Sequence, residues 1–509
     1  MRKLKKILCA LCAALFIILP ACGSQGERAE NVALKKDGSL TIAIESDVQT
    51  LHPFDHSSVV CSYMNQMTFS KLFITDPETL KPVPELVESY GCSSDGLTWS
   101  FKLKEGVLFH NGQELTAADA VASLNYASTF AYCKRYTSFI KSLEQTGRYT
   151  FKIETHKPYA LTLYDLSANS ACVLPAELIA QGHDFAQEPV GCGPYILKER
   201  VLGDSITFER FDSYFDQSNP DPIKEITWRV IPEGSSRTIA LETKEVGLVM
   251  DVAQGDVQRL MDTNGITVLT EKGTRINFMS MNSQMAPFDD INFRKGICSA
   301  VDREALCSVA TSDTGMPACS PNPSVYDGAT DELTCPYDPE KAAEYFSLSP
   351  YDPEGMEITC LCYSDETRRS AEVIQAYLSE FGINLKIETM DFAAFLSLML
   401  DGNYQCAVAG YSSSNMLTYM KGLWHSGSIG ASNSSRVTDP VLDGMIENAE
   451  TLTDEGELVP ALREICLYTN DLSLLLPLYT SGVVRAFDSG LKGVEACPTG
   501  YVAFQDLHY

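Results

Sequence analysis

Residues 86–125 read LVESYGCSSDGLTWSFKLKEGVLFHNGQELTAADAVASLN, and this stretch decides the fold of the chain around it. Apolar and polar residues alternate from Trp99 to Lys104, which predicts a strand with one buried face. Asp95-Gly96 before this strand and Asn111-Gly112 after it are dipeptides that tolerate positive φ, so they predict turns. Thr116 is then placed to cap a helix. The stretch therefore predicts a strand, a turn and a helix in immediate succession.

The order of these parts resembles the signature region of the extracellular solute-binding proteins of family 5, the peptide and nickel receptors of ABC importers. That region runs L-A-E-S-W, S-D-G, F-x-L-R-x-G-V-x-F-H-D-G and T-A-x-D-V. Residues 86–90, 94–96, 101–112 and 116–120 follow the same frame. VGCGPY at 190–195 resembles the family's V-G-T-G-P-Y, and its glycines are expected to serve a turn. The resemblance extends over essentially the whole mature chain.

The resemblance implies an α/β, two-lobe periplasmic-binding-protein-like fold (type II), with an extra N-terminal subdomain and two crossover hinge segments. The alternation of strand and helix patterns independently favours α/β layers. The expected crossovers are INFMSMN at 276–282 and LLLPLY at 474–479, and 267–271 is expected to be a separate strand. The implied domains are a signal peptide, 1–21; lobe I, 22–53, 185–275 and 478–509; an accessory subdomain of lobe I, 54–184; and lobe II, 276–477.

The N-terminus has the pattern of a secretory signal. Four basic residues within 2–6 precede an apolar run at 7–19, which is too short to span a membrane. LPACG at 19–23 resembles a bacterial lipoprotein cleavage site, which makes Cys22 the expected lipidated first residue. The alternative is an ordinary signal peptide with an incidental cysteine. We expect an extracytoplasmic protein, anchored by lipid to the cell membrane.

The chain is strongly acidic. Its formal net charge is −28, and removal of the four leader cations leaves 35 Lys and Arg against 67 Asp and Glu, a net charge of −32. Nucleic acids and anionic lipids need clustered Lys and Arg, so this balance argues against both as partners. The cysteines left after the leader and Cys22 are scattered without a CxxC pattern, which favours reduced, buried thiols over a disulfide framework.

No motif predicts an enzyme or a cofactor. Ser138 and Lys141 spell S-x-x-K, but neither S-D-N nor K-T-G completes a serine-acylase set. His52 and His56, with Asp55 between them, carry side chains that suit nickel or zinc. Pro53 breaks the helix that would bring the two imidazoles together, so no metal site is predicted there.

The candidate ligand site is deduced from the resemblance. The family's peptide receptors carry G-W-x-x-D, whose Trp walls the pocket and whose Asp pairs with the peptide ammonium; this chain has Tyr411 and Ser414 at those positions. A buried ammonium without its carboxylate typically costs roughly 2 to 5 kcal/mol of binding free energy, so recognition of free peptide N-termini is in doubt. The candidate ligand-binding residues are Ser57, Ser58, Val59, Tyr411, Ser412, Ser413, Ser414 and His425.

The leading hypothesis is a lipid-anchored, monomeric receptor that captures a peptide or peptide-like solute and delivers it to ABC permease subunits. The first alternative is a receptor for a chelated metal of the nickel type or another small non-peptide solute. A secreted hydrolase or a sensor on the same fold forms a different class. A hydrolase needs a nucleophile, a base and an orienting group that converge on a pocket, and the sequence shows no such set.

Overall fold

The computed structural model describes residues 38–311, 315–330, 335–495 and 497–509, so the predicted leader and Cys22 lie outside the described residues. The strands are β1 (Ser39–Ile44), β2 (Phe73–Thr75), β3 (Pro82–Pro84), β4 (Val87–Cys92), β5 (Thr98–Leu103), β6 (Ile140–Gln145), β7 (Thr150–Thr155), β8 (Tyr195–Val201), β9 (Ser205–Arg210), β10 (Glu225–Val230), β11 (Leu248–Val249), β12 (Ile266–Met281), β13 (Met316–Pro317), β14 (Glu357–Cys362), β15 (Asn384–Thr389), β16 (Cys406–Tyr411) and β17 (Leu475–Asp488).

The helices alternate with these strands along most of the chain. They are α1 (Val59–Thr68), α2 (Ala117–Ala127), α3 (Lys134–Thr137), α4 (Thr162–Asp165), α5 (Ala176–Gln181), α6 (Gly234–Glu242), α7 (Val257–Met261), α8 (Ile291–Ala300), α9 (Arg303–Thr311), α10 (Pro339–Leu348), α11 (Asp365–Ser379), α12 (Phe392–Asp401), α13 (Met416–Trp424), α14 (Pro440–Ala449) and α15 (Glu455–Leu472). Within the described ranges, none of these helices combines the length and the apolar character that crossing a membrane requires.

One large sheet runs through both lobes in the order β15-β14-β16-β12-β17-β11-β1-β10-β9-β8. We call the half with β1 and β8–β11 the first lobe, and the half with β14–β16 the second lobe. In the first lobe β1 pairs in parallel with β10 and β11, and in the second β14 pairs in parallel with β15 and β16. This architecture confirms the predicted two-lobe α/β fold of type II. The domain boundaries given above stay predictions.

Two long strands, β12 and β17, connect the lobes. Residues 266–272 of β12 pair with 482–488 of β17, and 276–280 pair with 475–480 after a shift in register. The prediction of a separate strand at 267–271 is wrong, because these residues form one continuous strand, β12, with the first crossover. At the shift, a Cβ on Gly273 would lie 2.5 Å from the carbonyl oxygen of Ser481, so the close approach requires glycine here.

Each lobe has its own apolar core. The first lobe buries Ile42, Phe208 and Trp228 from its strands, and α1 packs Val60 and Met64 against them. The second lobe buries a separate set from β14 and from the helices that flank it, including Phe293, Ile297, Ile358, Cys360 and Ile374. Two independent cores joined by two strands allow the lobes to move as units.

The signature stretch supplies β4 and β5 of a small antiparallel sheet, β4-β5-β7-β6, which we call the accessory sheet. Trp99, Phe101 and Leu103 are all buried, as the period of two predicts, and the Phe101 and Phe151 rings stack with their centroids 5.0 Å apart. Thr116 is the N-cap of α2, and its backbone N–H donates to the Asp119 carboxylate at 2.8 Å. The predicted strand and helix therefore both form.

The glycines of the VGCGPY motif have a different role from the one expected. A Cβ at Gly191 would lie 2.1 Å from the Thr68 carbonyl oxygen, and one at Gly193 would lie 2.5 Å from the Thr68 carbonyl carbon. Neither residue has the positive φ that a glycine turn uses. They are needed because this segment passes directly against the end of α1.

Candidate functional site

A cavity of about 640 Å³ lies between residues that are distant in the sequence. One wall is formed by the loop before α1, which includes Ser57, and by Ser62 of α1 itself. Segments 131–136 and 164–170 form the neighbouring walls, and Ser414 of the second lobe faces them. This volume lies within the usual range of small-ligand sites, about 300–1,000 Å³.

The three candidates at the start of α1 differ in placement. Ser57 is exposed and lines the cavity. Ser58 is the N-cap of α1, where its Oγ accepts from the Cys61 N–H at 3.5 Å, so its side chain serves the helix. Val59 is 62% exposed but is not on the cavity wall.

The four candidates at the end of β16 also differ in their placement. Ser414 is exposed and lines the cavity, and its Oγ accepts from the Asn415 side chain at 3.3 Å. Tyr411 turns toward α13, where its ring lies 5.2 Å from that of Tyr419. A Cβ on Gly422 would lie 2.2 Å from the Tyr411 hydroxyl, which shows how closely that hydroxyl approaches the helix.

Ser412 and Ser413 lie between these two residues and outside the cavity wall. Ser412 is exposed, and the Ser413 carbonyl accepts a hydrogen bond from the Tyr326 hydroxyl. The structure therefore brings Ser57 and Ser414 together in one cavity.

His425 lies outside the cavity wall, just after the last residue of α13. Its Nε2 is 3.3 Å from the Glu447 carboxylate of α14, and its Nδ1 accepts from the Gly427 N–H at 3.0 Å. Ser414 precedes the first turn of the same helix, so the helix separates the two residues by roughly 13 Å. His425 consequently acts here as a contact between helices.

Sequence reasoning missed the wall at 131–136. Arg135 and Tyr136 both line the cavity, and the Arg135 guanidinium lies over the Tyr136 ring, 4.3 Å from its centroid. On the adjoining wall the Asn169 amide donates to the Ser62 hydroxyl at 3.1 Å. The only signal in the sequence was Tyr-Cys-Lys-Arg-Tyr at 132–136, a basic and aromatic run in an acidic chain.

The two histidines near the cavity are tied into the structure by hydrogen bonds. His52 Nδ1 accepts from the Phe54 N–H at 3.1 Å, and His56 Nε2 is 2.8 Å from the Asn65 amide nitrogen. Burial lowers the pKa of both imidazoles. In the described ranges no group of three or more His, Cys, Asp or Glu is arranged to hold a metal ion.

Ion pairs join residues of the predicted accessory subdomain to the second lobe. Lys81 pairs with Asp327 at 2.8 Å and also with Glu455. Lys157 pairs with the Glu450 carboxylate at 3.2 Å. The Lys81 pairs are exposed and individually worth little, roughly 0–1 kcal/mol, whereas the Glu450 carboxylate is buried.

Behind the wall lies a buried acid, Asp165. Its carboxylate accepts from the Tyr159 hydroxyl at 2.9 Å. Burial raises the pKa of Asp165 to about 7, whereas Tyr159 and Arg135 act to lower it. Asp165 is not on the cavity wall, so its carboxyl group does not contact a ligand in the cavity directly.

The S-x-x-K residues do not face each other. Ser138 Oγ donates to the Arg135 carbonyl at 3.3 Å, and Lys141 Nζ pairs with Glu154 at 2.6 Å. Nucleophilic catalysis needs the base within hydrogen-bond reach of the hydroxyl. The arrangement lacks that contact.

The sequence pattern of "Bacterial extracellular solute-binding proteins, family 5 Middle" matches residues 81–431 of the chain. The chain is 29% identical over 361 residues to glutathione-binding protein GsiB of Escherichia coli, with 69% of this chain and 70% of that protein covered. It is 24% identical over 456 residues to heme-binding protein A of Haemophilus influenzae, with 83% of each covered. Among solved structures, HbpA2 of Haemophilus parasuis superimposes with a TM-score of 0.85 at 21% identity, over 92% of this chain and 99% of that one.

Proposed function

The chain belongs to the bacterial extracellular solute-binding proteins of family 5, and on this basis we propose that it captures an oligopeptide or peptide-like solute for an ABC importer. The observation that carries the proposal is the cavity of about 640 Å³ that has Ser57 on one side and Ser414 on the other. A relative that is 29% identical is named a glutathione-binding protein, and glutathione is a peptide. The proposed role is capture and delivery, with no reaction on the protein.

In this proposal β12 and β17 act as the hinge. The register shift between Lys272 and Ile276 interrupts the pairing of the two strands at the level where the lobes meet. Rotation there separates Ser414 from Ser57 and opens the cavity to solvent. An extended ligand gains backbone hydrogen bonds and bridging waters when the lobes close again. The closed form is then the one that the permease subunits receive.

The proposal includes a location. A lipid on Cys22 holds the receptor at the outer face of the cell membrane, and the residues just after Cys22 serve as a tether. The receptor works as a monomer, because each chain carries its own pair of lobes.

A second candidate is a chelated metal. The relative named heme-binding protein A, 24% identical over 83% of this chain, favours this alternative. The cavity hydroxyls suit such a ligand, because they can hydrogen-bond the oxygen atoms of a chelator.

Mass spectrometry of the small molecules released by denaturing the gently purified protein tests the proposal. We expect a peptide or a peptide-like molecule in stoichiometric amount. A metal chelate would favour the second candidate. If nothing is released, and calorimetry with a mixture of dipeptides and tripeptides shows no heat of binding, the proposal is wrong.

A further inference from the structure

The charges on the cavity wall are the reverse of those on the rest of the chain. The chain has 67 acidic residues against 39 Lys and Arg. Of the seventeen residues that line the cavity, one, Arg135, is a permanent cation and none is a carboxylate. In so acidic a chain, a wall without an acid leaves Arg135 as the charged group that faces a ligand in this cavity.

Arg135 is available to a ligand. It is exposed, and its guanidinium covers the ring of Tyr136 and donates to the Tyr136 hydroxyl. Within the described residues no carboxylate lies within ion-pair distance of this guanidinium. A guanidinium has five N–H donors in a planar fork, so most of them remain for a carboxylate oxygen.

Neither of the neighbouring acids lies on the cavity wall. Asp165 is buried behind the wall and accepts from Tyr159, and Asp55 is exposed but not part of the wall. A second cation, Lys71, lies just behind the wall and donates to the Ser167 carbonyl at 2.8 Å. On the side of Arg135, the charged group that a ligand in the cavity contacts directly is therefore a cation.

The opposite side offers hydroxyl groups and no acid. Ser414 stands where the family's peptide receptors carry an acid, and Ser57 faces it from the other lobe. Hydroxyls hydrogen-bond an anion or a neutral amide, but they do not neutralise an ammonium. A ligand with a free ammonium would meet a cation, Arg135, and no carboxylate on the wall.

We propose that the cavity binds an anionic, peptide-like solute without a free ammonium group, whose carboxylate is held by Arg135. This inference rests on the proposed function, because it concerns the same cavity. It adds the charge class of the ligand and the residue that selects it.

Calorimetry with three trialanine derivatives tests the inference. N-acetyl-trialanine carries only a carboxylate, N-acetyl-trialanine amide carries no charge, and trialanine amide carries only an ammonium. We expect N-acetyl-trialanine to bind at least about tenfold more tightly than either amide. Equal or tighter binding of an amide would overturn the inference.

Variants at Arg135 and at the adjacent Lys134 test which residue binds the carboxylate. Arg135→Gln should lower the affinity for N-acetyl-trialanine by about tenfold and remove the preference over its amide. Lys134→Gln removes a neighbouring exposed cation that is not on the wall, and should bind as the wild type does. Unchanged binding by a folded Arg135→Gln would overturn the assignment. Arg135→Lys, which keeps the charge but loses the fork, should fall between the two and serves if Arg135→Gln does not fold.

A non-peptide anion separates this inference from the proposed function. If none of the three peptides binds, the peptide-like proposal fails, and tricarballylate then tests the anionic site alone. Binding of tricarballylate that Arg135→Gln abolishes supports the anionic site. If tricarballylate does not bind either, the anionic inference fails too.

Discussion

His110 Nε2 lies 3.0 Å from the carbonyl oxygen of Gly193, and this contact joins the signature stretch to the VGCGPY motif. The His110 backbone N–H donates to the Gly191 carbonyl at 2.8 Å, and the Gly191 N–H lies 3.4 Å from His110 Nδ1. The neutral ring therefore carries its proton on Nε2. The histidine of one motif and the glycines of the other act as one structural unit that connects the accessory sheet to α1.

This contact predicts a pH-dependent stability. Burial lowers the pKa of His110 to about 4 from 6.5, so the imidazole is neutral in the folded state while the unfolded state takes up a proton below pH 6.5. The contribution is complete above pH 6.5 and is lost as the pH falls toward 4, by up to roughly 3 kcal/mol. His110→Gln should be less stable than the wild type at pH 7.5 by about 1 kcal/mol, and its stability should fall less steeply on the acid side, where His52 and His56 still contribute.

Urea unfolding at pH 7.5 and pH 5 measures the difference. His156→Gln, a change at an exposed histidine, is the matched control and should leave both midpoints unchanged. An acid-side slope as steep in His110→Gln as in the wild type would show that other groups cause it.

The raised pKa of Asp165 predicts the opposite dependence of stability on pH. Its pKa is raised by burial to about 7 from 3.8, so between these values the unfolded state loses its proton first and the stability falls as the pH rises. The loss reaches about 4 kcal/mol at most above pH 7. Asp165→Asn keeps an oxygen for the Tyr159 hydroxyl and cannot ionise, so its melting temperature should exceed that of the wild type at pH 8 and match it near pH 4.

Differential scanning calorimetry at the two pH values checks this expectation. Asp212→Asn, at an exposed position, is the control. If Asp165→Asn is no more stable than the wild type at pH 8, the carboxyl group does not bear the burial penalty inferred here.

The cysteines predict a labelling pattern. The fourteen described cysteines are all free thiols, and only Cys92 and Cys319 among them are exposed. Iodoacetamide should label these two in the native protein and all fourteen after denaturation without reductant, because a buried thiol is inaccessible to the reagent. Peptide mapping by mass spectrometry gives the count. A total well below fourteen after denaturation would indicate disulfides.

A substitution at Ser414 tests whether the site has lost its partner for a ligand ammonium. Ser414→Asp adds a carboxylate to a cavity wall that has none, so it should weaken N-acetyl-trialanine binding several-fold by repulsion and desolvation. Ser218→Asp adds the same charge at an exposed turn and should have no effect. Calorimetry compares the two. A gain in affinity for trialanine with its free ammonium, without loss for the acetylated peptide, would contradict a site that has moved away from free N-termini.

Cys22 lies outside the described residues, and its lipidation is tested directly. Cys22→Ala removes the thiol that the lipid requires, so the protein should move from the detergent phase to the aqueous phase after phase separation. Cys92→Ala, which removes an exposed thiol elsewhere, should remain in the detergent phase. A Cys22→Ala variant that still partitions with detergent would rule out the assigned anchor.

The sequence by itself determined the local elements and their order. The alternation from Trp99 to Leu103 depends on a side-chain period of two, and the cap at Thr116 depends on residues three positions apart, so both were readable without tertiary contacts. The family and the two-lobe fold followed from the motif order. The continuity of β12 did not, because Gly273 interrupts the apolar pattern, and only the structure shows that pairing with β17 resumes beyond it in a shifted register.

Only the tertiary structure decided which residues share the cavity. Ser57 and Ser414 meet because β12 and β17 place the lobes face to face, whereas Tyr411 turns away because α13 packs against its ring. Arg135 had no motif to mark it, and the role proposed for it rests on the absence of acids on the surrounding wall. A charge becomes selective through its neighbours in space, and a linear pattern does not contain those neighbours.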